Sequence, residues 1–342
     1  QGHDQMRQVL YWIAMWLTTL VVIGAFIGSP GVNRKPVAIF GEMVDGSAAK
    51  PFVYRRLMPD LIRFVDYVAP ESVKSTIIDF GQTSSTVRRW MAKLDLGPDQ
   101  TFRYLLFCLL SYGFLWIFIF GFRLLVSRFY ESTEVINVVT FAAVLGFPAL
   151  FDYAYLYDLS TLSIYTLALA FLARRQWMTF IAALAIGMYS KETSLLLVLI
   201  YFLFYRGRLQ SRLFWRLFVI QLSVVALIKG YLFFRFMDNP GSVVEFHFFH
   251  NLLYGYTYSI GLFVIWLLTA VLVVMDWKKK PLFIRTSLWS FACLFVLTLF
   301  LGFLNEKRDY AEAYPVLLIL FIHGLASMAG LQSGLKVSNE ID

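Results

Sequence analysis

Apolar runs of roughly bilayer-spanning length recur from one end of this 342-residue chain to the other, and nothing else in it limits the fold as severely. Inside hydrocarbon no water is present to satisfy a free amide, so each such run has to close its own backbone hydrogen bonds as a helix. The runs cover residues 9–28, 102–122, 135–151, 159–173, 177–189, 193–205, 217–234, 252–275, 286–304 and 314–331, each ended by charge or by Pro and Gly. The expected fold is all-α, a polytopic bundle of about 10 transmembrane helices making one domain over residues 1–342. Hydrophobic residues at 59% and charged residues at 15% agree with lipid as the main solvent. Ser190, Lys191 and Glu192 are read as a turn between 177–189 and 193–205, which otherwise merge into one long segment.

Charge orients the bundle. Alternate short connections hold Arg123 and Arg128; Arg174 and Arg175; Arg206, Arg208, Arg212 and Arg216; then Lys278, Lys279, Lys280 and Arg285. By the positive-inside rule these face the cytoplasm. In the other connections basic residues travel with acids, and every connection alternates correctly if both termini are cytoplasmic. A nine-helix reading breaks that alternation. The first run carries Tyr11, Trp12 and Trp16 as interfacial anchors, lacks a cleavage site and is expected to be a retained helix. An integral protein of a bacterial inner (plasma) membrane fits this pattern. The net charge of +8 does not point to nucleic acid, because the basic residues are divided among short loops.

Residues 29–101 form the single long extracytoplasmic loop. Within it, residues 52–68 set Phe52, Leu57, Leu61, Ile62, Phe64 and Val65 against Arg55, Arg56, Asp60 and Arg63, the pattern of an interfacial helix with Pro59 in its first turn or at a kink. Residues 85–96 repeat the pattern, with Val87, Trp90, Met91 and Leu94 opposite Arg88, Arg89 and Lys93.

Ionisable groups at membrane depth require a partner or a task. Lys191 and Glu192 either pair with each other in a tight turn, or face a substrate, Lys191 on an anionic group with Glu192 orienting it. Glu306, Lys307 and Arg308 form a solvated charged loop or hold a lipid phosphate, for which the planar guanidinium fork is well shaped. Glu42, Asp45, Asp60, Asp152 and Asp158 are the acids from which a general base could be drawn. Glu245, His247 and His250 are the only metal-type spacing, and a weak one; the sequence establishes no cofactor, and a divalent metal ion is the one candidate left open. Cys108 and Cys293 lie in apolar runs with neither disulfide nor metal spacing, and no phosphate loop, nucleophile elbow or HExxH motif occurs.

Taken together, the long acidic first external loop, the Ser190-Lys191-Glu192-Thr193-Ser194-Leu195 stretch, and the late Glu306-Lys307-Arg308 loop before Tyr314-Pro315 resemble the polytopic glycosyltransferases of the GT-C superfamily. The run Phe52 to Pro59 also looks like a feature of bacterial membrane proteins of this kind. The resemblance implies transfer of a sugar from a polyprenyl-phosphate carrier to a glycan, lipid or protein acceptor outside the membrane. It implies Asp45 as base with Glu42 second, and Arg308, Lys307, Arg55 or Arg56 on the departing phosphate. Asp152, Asp158, Lys191, Glu192 and Glu306 complete the substrate-binding set. No paired acidic motif follows the first helix directly, and no large C-terminal soluble domain is present, so the chain departs from the usual pattern. A transporter or flippase for a lipid-linked saccharide is the alternative, though it should show inverted repeats. A non-catalytic membrane subunit and an O-acyltransferase centred on His323 are the remaining readings.

Overall fold

A computed structural model of the chain describes residues 2–33, 36–151, 153–254 and 260–330, and among these residues the regular structure is helical. Six stretches are long and apolar enough to cross a membrane: Gln5–Ile27, Pro98–Val126, Thr133–Leu150, Ser211–Arg235, Leu282–Leu301 and Lys307–Met328. Asp158–Ala173, Trp177–Ser190 and Glu192–Tyr205 are apolar but shorter. The expected span over 252–275 falls on two helices, Phe248–Tyr254 and Ile260–Val274, with residues 255–259 outside the described set. Length and composition therefore support six crossings among the described residues, which fit an integral membrane protein, while the other apolar helices are too short for that criterion.

In chain order the helices are α1 (Gly2–Ile27), α2 (Phe40–Asp45), α3 (Leu57–Val68), α4 (Glu71–Thr83), α5 (Ser85–Lys93), α6 (Thr101–Val126), α7 (Thr133–Leu145), α8 (Phe147–Leu150) and α9 (Asp158–Ala173). They continue with α10 (Trp177–Ser190), α11 (Leu196–Tyr205), α12 (Ser211–Arg235), α13 (Phe248–Tyr254), α14 (Ile260–Val274), α15 (Leu282–Ser287), α16 (Trp289–Leu301) and α17 (Tyr314–Met328).

The centre of the bundle is α9, buried over nearly its whole length together with the small polar side chains Ser160, Thr161, Ser163 and Thr166, as a helix surrounded by others must be. It lies against α6, where Gly121 permits close approach: a Cβ there would sit 3.1 Å from the Leu167 Cα. Ser163 donates to the Phe114 carbonyl at 2.7 Å across the same contact. The outer helices turn large apolar side chains outward, among them Val21, Leu109, Phe120, Leu227, Phe234 and Leu268. So much exposed hydrocarbon is unsustainable in water and ordinary in lipid.

At one end, basic side chains close helix C-termini. Arg174 donates to the Leu124 carbonyl, Arg128 to the Ala173 carbonyl, and Lys280 to the carbonyls of Leu272, Val273 and Leu320 at 2.8 Å each. Cations at the ends of α6, α9 and α14 satisfy orphan carbonyls and complement the helix dipole, while the Leu320 carbonyl lies within α17 and ties Lys280 to that helix. The opposite end carries residues 29–100. Of the helix expected over 52–68, the part Leu57–Val68 forms, with Pro59 in its first turn, while Phe52–Tyr54 is a separate 3-10 helix; the helix expected over 85–96 covers Ser85–Lys93. Sequence reasoning did not foresee α4. On α3, Met58 and Ile62 are buried, while Phe64, Tyr67 and Val68 are exposed, as in a helix lying on a lipid interface. Asn33 pins the loop's two ends, donating to the carbonyls of Leu94 and Asp95 and accepting from the Phe40 amide. Asn239, just past α12, donates to the carbonyls of Gly46 and Ala48.

Candidate functional site

At the loop-rich end four segments converge: residues 51–60, the turn leading into α9, the turn between α10 and α11, and residues 302–313 before α17. The turn into α9 is fixed by Asp158, whose Oδ2 accepts the Tyr155 amide at 2.8 Å. That turn stacks the rings of Tyr155 and Tyr157 at 5.8 Å, and Phe52 stacks on Tyr155 at 5.6 Å. Two guanidiniums rest on this aromatic ladder. Arg308 lies 3.9 Å from the Tyr155 ring centroid and Arg55 lies 4.5 Å from that of Tyr157. Arg55 also donates to the Tyr157 hydroxyl, and Arg308 Nη1 reaches the same oxygen at 3.5 Å. Ring faces attract cations most strongly where water is excluded, so the ladder holds two positive charges close together.

Acids surround them. Arg308 donates to Glu306 and has Asp158 and Asp309 at 3.8 Å each, while Arg55 Nη2 meets Glu192 Oε1 at 2.9 Å. Burial by itself lowers the pKa of Arg55, but Glu192 and Tyr157 beside it outweigh burial and raise it, so the charge is secure. Lys191 and Glu192 do not pair with each other. The α10 helix stops at Ser190, Lys191 is fully extended, and a short 3-10 helix begins at Glu192, so the two side chains diverge. Lys191 Nζ pairs with Glu312 at 3.0 Å, and Glu192 has Lys229 at 3.9 Å as well as Arg55. Among the described residues, the Nε atoms of Arg55 and Arg308 are buried without a hydrogen-bond partner.

Beside this cluster opens a cavity of about 450 Å³. Its polar lining includes Arg55, Glu192, Lys229, Glu306, Arg308 and Asp309 with Glu245 and His247; its apolar lining includes Leu232, Phe233, Val243, Val244, Leu301 and Phe303. Phe233, Val243, Val244 and Leu301 are exposed, so the apolar side continues onto the outer surface near the ends of α12 and α16.

Of the residues singled out from sequence, Arg55, Glu192, Glu245, His247, Glu306 and Arg308 meet at the cavity, with Lys191 and Asp158 buried close to it. Lys307 turns away and donates to the Ala149 carbonyl at 3.1 Å. Arg56 is wholly buried in a separate cluster, where it donates to the carbonyls of Met43 and Val44 and to Asp60. Asp60 also accepts from Tyr189 and from Arg235 at 3.4 Å. Asp45 ends α2, 53% exposed and paired with Arg103 at 3.0 Å. Glu42 lies in the first turn of α2, and neither acid lines the cavity. Asp152 lies outside the described residues. His247 lines the cavity, 3.3 Å from Glu245, and both His247 and His250 pack on the Phe303 ring. Among the described residues, no group of three or more His, Cys, Asp or Glu is placed to hold a metal ion.

Sequence reasoning missed Tyr155, Tyr157 and Lys229. The tyrosines belong to an alternating Tyr153, Tyr155, Tyr157 set that reads as interfacial aromatics. For Lys229 a signal existed, a lone lysine inside the apolar run 217–234, which calls for a partner by the rule applied to Lys191. No protein-family model, curated protein or solved structure matches this chain.

Proposed function

We propose that the protein is a membrane glycosyltransferase that moves a sugar from a polyprenyl-phosphate carrier to an acceptor hydroxyl on the extracytoplasmic side, in a ten-span topology with both termini cytoplasmic. The observation that carries this reading is the two-sided cavity. Its apolar side, continuous with the outer surface, suits an alkyl chain, and its polar side supplies paired guanidiniums for a phosphate beside carboxylates that can accept from sugar hydroxyls.

In the reaction, the acceptor oxygen attacks the anomeric carbon and forms the new C–O bond as the bond from that carbon to the phosphate oxygen breaks. The acceptor proton passes to a carboxylate, and the carrier leaves as its phosphate. Arg308 and Arg55, already held by the aromatic ladder, stabilise the charge growing on that phosphate without reorganising. Asp45, paired to Arg103 outside the cavity, is less suited to the base role than the acids of the cavity itself.

The test is turnover of purified protein in nanodiscs with a panel of radiolabelled polyprenyl-phosphate sugars. Time-dependent release of label from the lipid to an acceptor or to water is expected for one member. Binding without release, together with movement of the lipid between leaflets, would favour the flippase reading.

A further inference from the structure

The cavity is not an open cationic site. Five carboxylates, those of Asp158, Glu192, Glu306, Asp309 and Glu312, surround the four cations Arg55, Lys191, Lys229 and Arg308. An anionic group entering it meets guanidiniums whose charge is already answered. At Arg308 the three neighbouring acids are not equivalent. Asp158 is buried, held by the Tyr155 amide, and stands off at 3.8 Å; Asp309 stands off at the same distance. Glu306 alone touches the guanidinium directly. It lines the cavity, its side chain is 21% exposed, and its carboxylate has Arg308 as its one hydrogen-bonded partner among the described residues.

We infer that Glu306 is a displaceable counter-ion: it occupies the Nη2 edge of Arg308 and is expelled by the anionic group of the ligand. One edge of one guanidinium cannot hold two anions, and Glu306 is the acid that occupies such an edge directly, from a position on the cavity wall and with no side-chain hydrogen bond to another described residue to hold it there. Its neighbour Asp158 stays in place and keeps Arg308 oriented on the Tyr155 ring throughout the exchange. Glu306 therefore sets the threshold that an anion must exceed and disfavours ligands whose charge is too weak or too distant to replace it. This rests on the reading of the cavity as a site for an alkyl-linked phosphate.

The experiment is calorimetric binding of decyl phosphate to the purified protein in uncharged phosphatidylcholine nanodiscs. Wild type is compared with Glu306→Gln and Glu306→Asp, and Arg308→Ala is the control. Removing one competing charge-assisted hydrogen bond should tighten binding about tenfold in Glu306→Gln. Glu306→Asp, one methylene too short to keep the contact, should shift the same way and stands in if the glutamine variant does not fold. Arg308→Ala should lose binding. Folded Glu306 variants that bind decyl phosphate as wild type does, or more weakly, overturn the displacement and leave the cavity reading intact. Absence of binding in every folded protein overturns both.

Discussion

Lys191 and Glu312 form a closed ion pair between the α10–α11 turn and the segment before α17, Nζ to Oε1 at 3.0 Å, with side chains only 6% and 0% exposed. Thr193 adds a hydrogen bond to the same carboxylate. Two buried charges that satisfy each other are costly to separate, because the survivor is left uncompensated in a medium of low dielectric. Lys191→Met should therefore lower stability by about 3–5 kcal/mol. The double variant Lys191→Met with Glu312→Gln should recover most of the loss, since no lone charge remains. Thermal unfolding in detergent measures both, and equal losses in the single and double variants would contradict the pairing.

Asp60 gives a pH dependence of definite sign. Burial raises its pKa, but hydrogen bonds from Arg56 and Tyr189 and the charges of Arg56 and Arg235 outweigh burial, so it lies below the ordinary 3.8. A carboxyl with a depressed folded pKa contributes stability that is complete above the unfolded value and is lost as pH falls through the folded one. Unfolding temperature should not change on account of this group between neutral pH and about 5, then decline below about 4. Asp60→Asn should flatten that acid limb, and an unchanged limb in the variant would remove Asp60 as its source.

The close approach of α14 and α17 depends on Gly324, where a Cβ would lie 2.1 Å from the Leu272 carbonyl oxygen. A backbone oxygen cannot move aside as a flexible side chain can, so Gly324→Ala should destabilise by about 1–3 kcal/mol. Gly113, with nothing within 4 Å of the same added atom, is the matched control and should tolerate alanine. The comparison is made by thermal unfolding of both variants.

Sidedness is testable by labelling single cysteines in cells after Cys108 and Cys293 are replaced. Arg212→Cys and Lys279→Cys should react only once the membrane is permeabilised, and Ser75→Cys should react from outside with an impermeant reagent. Labelling of all three from the same side would defeat the ten-span topology.

The helical segments were legible because lipid imposes a simple rule, an apolar run bounded by charge, and α1, α6, α7 and α12 obey it. The break at Lys191 was legible for the same reason. Which partner each charge takes was not. Lys191 and Glu192 are adjacent in sequence, yet the extended backbone at Lys191 sends them to different elements, and only the fold brings Glu312, Arg55 and Lys229 within reach. Helix α4 was missed because its residues, Glu71–Thr83, mix Ser, Thr, Lys and Asp with few apolar positions, and local pattern says little about such a segment. Arg56 shows the opposite failure: next to Arg55 it looked like a second phosphate ligand, but it is enclosed by the carbonyls of α2 and by Asp60.

We propose Arg308, on its tyrosine ladder, as the positive pole of the proposed transfer. The most direct measurement is sugar transfer by folded wild type, Arg308→Ala, Arg308→Lys and Asp45→Asn proteins in nanodiscs with the active polyprenyl-phosphate sugar. Arg308→Ala should lose kcat/KM by about 100-fold or more, and Arg308→Lys should recover only part of it because an ammonium cannot reproduce the planar fork. Asp45→Asn should stay within a few-fold of wild type. Full activity in Arg308→Ala, or loss confined to Asp45→Asn, would contradict this placement of the site.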